Sequence, residues 1–158
     1  MSLRGLLTAN APARLTDSTF LILRLAAAVV FVAHGWNTFS SQGVSGAIEA
    51  QQAAGIPLPA LAGPFTVFGE LVGGILLALG LLTRLSAITI SVIMLGAWVF
   101  VHAQNGLFAS KGGFEYVMIL AAISLTLIVT GPGRYSIDHL LAGNRHEPEV
   151  KVAGSSLV

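Results

Sequence analysis

Apolar and polar positions divide the chain into four long hydrophobic runs, residues 18–39, 65–82, 85–103 and 114–130. Each is close to the length of a helix crossing the roughly 30 Å hydrocarbon core of a bilayer, so four transmembrane helices are predicted. The first run has no small-residue cleavage site directly after it and is read as a retained helix rather than a signal peptide. Residues 40–64 are polar and punctuated by Gly and Pro; a short amphipathic helix is expected at 45–54, stopped by Gly55-Ile56-Pro57-Leu58-Pro59, and this loop is expected to fold over the bundle. Thr83-Arg84 is the whole predicted turn between the second and third runs, which makes them antiparallel neighbours. A second loop, 104–113, precedes the fourth run, which Gly131-Pro132-Gly133 ends. The organisation is thus a basic arm at 1–17, an all-α membrane domain at 18–140, and a polar tail at 141–158.

Composition places this pattern in a membrane. Hydrophobic residues make up 54% of the chain and charged ones 9%, with a mean hydropathy of +0.82, outside the range of soluble domains. The lipid bilayer is therefore the surrounding partner. Arg4, Arg14, Arg84, Arg134, Arg145 and Lys151 fall on one side of the predicted helices and Lys111 on the other. By the positive-inside rule both termini of this multi-pass protein are expected to be cytoplasmic. A net charge of +1 without basic runs gives no footprint for nucleic acid. The absence of cysteine excludes disulfides, thiolate metal sites, CxxCH haem attachment and dithiol redox relays.

Within the second run, FTVFGELVGGILLALGLLTR, stands one carboxylate, Glu70. An ionised side chain at the centre of a span costs about 2.5–3.5 kcal/mol on insertion scales, so such groups face a protein interior or a wet cavity and need a partner. Gly73 and Gly74 share its helical face, where small residues admit a neighbouring helix. The alternating topology puts His34, Glu70, His102 and Glu115 at one depth, in the outer half. Arg24, Ala27, Phe31, His34 and Thr38 form a 3,4-spaced seam on the first helix; Ser91, Leu95, Trp98 and His102 form one on the third; Glu115, Ile119, Ala122 and Thr126 form one on the fourth.

Each residue has a plain structural alternative. His102 and Glu115 can be solvated loop ends, Arg24 can snorkel or clamp a helix, His34 can be a packing histidine, and Glu70 can sit in a structural ion pair. Trp36 and Trp98 read as interfacial belt residues, and Asp138 as a turn or capping residue. Two imidazoles and two carboxylates would suit a metal ion, a haem with axial His34 and His102, or a quinone hydrogen-bonded by His34 with Glu70 exchanging the proton. The cluster alone does not choose among them.

A set of motifs completes the picture: Arg24-Leu25, Phe31-Val32-Ala33-His34-Gly35, Gly55-Ile56-Pro57, Glu70-Leu71-Val72-Gly73-Gly74, His102-Ala103-Gln104-Asn105-Gly106, Gly113-Phe114-Glu115-Tyr116 and Gly131-Pro132-Gly133-Arg134-Tyr135-Ser136-Ile137-Asp138. In this order they resemble the DoxX family of small four-span bacterial membrane proteins. One departure is Thr38, where the family often has lysine four residues after the histidine. The family is similar to the membrane subunit of thiosulfate:quinone oxidoreductases, and its members are associated with redox and sulfur metabolism. The resemblance therefore implies a membrane component of a quinone-linked redox system, possessing or assisting oxidoreductase activity. On this reading His34 and Glu70 carry the ligand and proton roles, Arg24, His102 and Glu115 bind or orient the ligand, quinone is the cofactor, and no metal is assigned. A redox partner protein and a second copy of the chain are its candidate protein partners. Two alternatives stand beside it: a non-catalytic anchor or assembly factor that recruits a partner, and a small proton-coupled exporter.

Overall fold

The structure is a computed structural model and describes residues 12–143. The predicted arm up to residue 11 and the tail beyond 143 lie outside the described residues, Arg4, Arg145 and Lys151 with them. Among the described residues there are five α-helices: α1 (Ala13–Ala53), α2 (Pro59–Leu79), α3 (Thr83–Ala97), α4 (Glu115–Thr130) and the short α5 (Ile137–Gly143). α1, α2 and the helical stretch Thr83–Asn105 are each long and apolar enough to cross a membrane. α4 is apolar throughout, but its 16 residues rise only about 24 Å.

Several boundaries differ from the sequence reading. α1 starts at Ala13, before the expected arm ends, and runs through most of the expected polar loop. It bends at Gly43, whose φ of 68° and ψ of −176° lie outside the helical region. The expected amphipathic helix is the part of α1 beyond this bend. Backbone bonds from Gly55 to Gln52 and from Ile56 to Gln51 close α1 in a Schellman turn. α2 ends in the same way: Gly80 bonds Leu77 and Leu81 bonds Leu76. The link to α3 is therefore Gly80-Leu81-Leu82, and Thr83-Arg84, expected as the turn, are already helical.

α1 lies along α2, α2 along α3, and α3 along α4. The backbones of α1 and α2 approach where glycine allows it. A Cβ on Gly74 would lie 2.8 Å from Val32 Cγ2 and 3.0 Å from its amide nitrogen, and one on Gly35 would lie 2.9 Å from the Leu71 nitrogen. The sequence expectation that the Gly73-Gly74 face meets another helix holds, and it meets two: Gly74 faces α1, while Gly73 faces Ile90 of α3. Ala27, Ala28, Phe31, Leu77, Ala87, Ile90, Leu120 and Leu127 fill the centre. Large apolar side chains such as Ile22, Val29, Val72, Val92, Ile119 and Val129 stay exposed around the outside, as lipid-facing positions do. The protein is a helical membrane bundle in contact with the bilayer.

One end is basic. Arg84 and Arg134 line a single cleft with Asp17, Arg14 lies one turn of α1 away from Asp17, and Lys111 sits in the loop at the opposite end.

Candidate functional site

At the end opposite the basic one, His34, Glu70 and His102 line one cavity of about 180 Å³, together with Val30, Phe31, Met94, Tyr116 and Leu120. α1 presents His34, α2 presents Glu70, the end of the third span presents His102, and the first turn of α4 presents Tyr116. Three of the four outer ionisable residues thus meet at one place.

Glu70 is buried, with 8% of its surface exposed. It forms part of the wall of a second cavity, about 220 Å³, shared with Gln51, Pro57, Thr66, Met94 and Phe100. Gln51 Nε2 donates to Thr66 Oγ1 at 3.2 Å on that side, so the part of α1 beyond the bend helps to close the second cavity. Glu70 makes no hydrogen bond or ion pair with any described residue; the only ion pair among them joins Arg134 and Asp17. The partner that its position calls for is not supplied by the described chain.

His34 is an exposed residue of α1 rather than a deeply packed one. Its ring lies 6.3 Å from that of Tyr116, tilted by 37°. His102 ends a π-helical turn, Trp98–His102, a distortion frequent at functional sites. Its Nδ1 is 2.7 Å from the Gly112 carbonyl oxygen. A carbonyl can only accept, so Nδ1 carries the proton and Nε2 of the neutral ring is left as an acceptor.

Two expected ligand residues lie elsewhere. Arg24 is fully buried nearer the basic end, where Nη1 donates to the Pro132 carbonyl at 2.5 Å and Nη2 to the Tyr135 carbonyl at 2.6 Å. It holds the turn after α4 against α1. Glu115 accepts a 2.6 Å bond from the Ala109 amide and so braces the loop before α4, outside the cavity lining. The seam expected on α4 points outward: Ile119, Ala122 and Thr126 are exposed, while Val117, Leu120, Ala121, Ser124 and Leu127 face inward. On α3, Leu95 is likewise exposed and Ile90, Ser91, Ile93 and Met94 are buried. The α1 seam is buried at Arg24, Ala27 and Phe31. Trp98 is half-buried and stacks on Phe114 at 5.2 Å, a packing role rather than the expected belt position, whereas Trp36 is exposed.

Tyr116 joins the cavity lining through the fold, and its one mark in the sequence is its place beside Glu115. Asp138 proves to be a cap supplied from a distance. Its carboxylate oxygens accept from the Leu82 amide at 2.8 Å and the Thr83 amide at 2.9 Å, satisfying donors at the start of α3, whose own cap residue provides no side-chain bond. No group of three His, Asp or Glu side chains among the described residues is placed to hold a metal ion.

A polytopic helical membrane protein with a small, partly polar cavity between its helices is the class this arrangement defines. The DoxX family model matches residues 19–103, and the chain belongs to the DoxX family. It is similar to the inner membrane protein YqjF of Escherichia coli, 31% identical over 129 residues that cover 81% of this chain and 95% of that one. It is also similar to the protein named "Putative oxidoreductase CatD" of Bacillus subtilis, 32% identical, covering 75% of this chain and 83% of that one. The inner membrane protein YphA of Escherichia coli is 29% identical, covering 75% and 86%. No solved structure matches the chain.

Proposed function

We propose that this protein is the membrane component of a redox system in the bacterial inner membrane, and that the cavity lined by His34, Glu70 and His102 receives the headgroup of a quinone. The observation that carries the reading is Glu70, a carboxyl inside the bundle that borders two cavities and has no partner among the described residues. The name of the Bacillus subtilis relative supports a redox role, and the names of the two Escherichia coli relatives support the location.

The cavity suits a single ring. An apolar cavity of about 150 Å³ admits benzene, and this one is of similar size. A bound quinone supplies two-electron chemistry coupled to protons at its ring oxygens. Phe31, Met94 and Leu120 would give the headgroup an apolar wall. A ring N–H of His34 and the hydroxyl of Tyr116 are donors suited to carbonyl oxygens, and Nε2 of His102 is an acceptor. Glu70 holds or releases a proton at the wall, the general acid–base role for which a positioned carboxyl is suited. The chain has no cysteine to carry electrons as a thiol, so a partner protein or a small reductant supplies them.

The test is the quinone content of protein purified in mild detergent, compared with a His34→Ala/Glu70→Gln variant prepared identically. Near-stoichiometric quinone in the wild type, lost in the variant, is expected. Equal trace amounts in both overturn the reading. A non-catalytic anchor would then lead, favoured by the way His102, Asn105 and Glu115 brace the loop between α3 and α4 as a surface for a partner.

A further inference from the structure

A second site lies at the other end of the bundle. Between the first residues of α3, the turn after α4, and α5 opens a cleft of about 740 Å³, within the roughly 300–1,000 Å³ of ligand sites. Its wall carries Arg84 and Arg134 with Asp17 and Asp138, and Arg24 lies behind it on the Pro132 carbonyl. Two arginines thus share the wall with two aspartates, and the buried Arg24 charge stands behind them. Asp138 is occupied by the Leu82 and Thr83 amides. Asp17 faces Arg134 at 3.7 Å and also accepts from the Arg134 amide at 3.2 Å. The surplus charge falls on Arg84, which is exposed and makes no hydrogen bond or ion pair with any described residue. Leu82, Leu85 and Pro132 share the lining, and the exposed apolar side chains of Leu85, Ile88 and Val92 continue from the cleft along α3 into the span.

A planar guanidinium matches two phosphate oxygens, and the apolar track beside it runs where acyl chains run. We infer that this cleft binds the phosphate of an anionic phospholipid, with Arg84 and Arg134 on the headgroup and the acyl chains along α3. The inference is independent of the quinone reading. A free phosphate would satisfy the arginines but would leave the apolar track unused, and that track is the reason the site is assigned to a lipid. The basic end is also the cytoplasmic end by the distribution of arginine and lysine, the side on which basic pockets between helices take anionic headgroups.

The test is native mass spectrometry of the detergent-purified chain, titrated with dioleoyl phosphatidylglycerol or dioleoyl phosphatidylcholine. Phosphatidylglycerol is expected to be retained in preference to phosphatidylcholine. Arg84→Gln should weaken that preference about fivefold, and Arg84→Gln/Arg134→Gln by about twenty-fivefold. Lys111→Gln, at the opposite end, should leave it unchanged. Arg84→Lys, which keeps the charge but not the planar fork, serves if the neutral variant does not fold, and a reduced preference is again expected. Unchanged preference in the Arg84 variants, or an equal loss in Lys111→Gln, overturns the site. Displacement of the lipid by millimolar inorganic phosphate overturns the assignment to a lipid.

Discussion

Replacing Arg24 separates a bracing role from a ligand-binding one. From the sequence Arg24 is expected among the ligand residues, whereas in the structure both its terminal nitrogens donate to backbone carbonyls of the turn after α4. Hydrogen bonds from a charged donor contribute about 1.5–3 kcal/mol each, so Arg24→Met forfeits about 3–6 kcal/mol. Arg24 Nε is buried without a partner, and removing it returns about 1–3 kcal/mol. The net loss lies within about 0–5 kcal/mol and centres on about 2.5 kcal/mol, which for a chain of this size is a fall in Tm of about 5–10 °C on the scale of globular domains. Arg24→Lys retains a charge but cannot span two carbonyls, and it should fall between the wild type and Arg24→Met. The assay is the midpoint of loss of the monodisperse peak on heating in detergent, alongside quinone content measured well below that midpoint. Quinone retained in the folded variant is the expected companion result. An unchanged midpoint with quinone lost would refute the bracing role and return Arg24 to the ligand.

Two further outcomes follow from the geometry. Burial opposes the charge of Asp138, but the Thr83 and Leu82 amides and the Arg24 charge outweigh it and hold the carboxyl below the ordinary aspartate range. A carboxyl whose pKa is lower folded than unfolded contributes fully above the unfolded value, about pH 4. That contribution is lost as the pH falls through the folded value. Asp138→Asn should therefore cost about 0.5–2 kcal/mol at pH 7, with the difference from the wild type shrinking in acid melts below about pH 4; a difference that persists there would refute the charged cap. Gly74→Val should cost at least about 1–3 kcal/mol by overpacking, because its Cβ meets the Val32 backbone; thermal melts that match the wild type would refute the close approach of α1 and α2.

The helical membrane bundle was legible because a long apolar run has few other homes, and the α1 seam was legible because Arg24 and His34 mark its face. The α3 seam turns inward at Ser91 and His102 and outward at Leu95, whereas the α4 seam faces outward, because α4 has few polar residues to mark a face and a 3,4 spacing can be drawn on several. There the inward side is chosen by packing, as at Ala121 and Ser124 of α4. Glu70 announced itself as a lone carboxyl. The distant cap by Asp138, the π turn before His102 and the cavity position of Tyr116 depend on contacts between segments far apart in the chain. The bend at Gly43 was masked by polar residues that look like a loop but continue the helix.

The bonds from Asp138 to Leu82 and Thr83, 56 and 55 positions earlier, bear on how the chain is made. During synthesis α3 enters the membrane before Asp138 has left the ribosome, so the first turn of α3 waits with open amides. Those amides, and the Arg24 guanidinium that donates to the Pro132 and Tyr135 carbonyls, are satisfied only by the last part of the membrane domain to emerge. Truncation after Thr130 would therefore leave all four spans translated yet the basic end unlatched, with open amides at the start of α3 and an unpartnered guanidinium on α1.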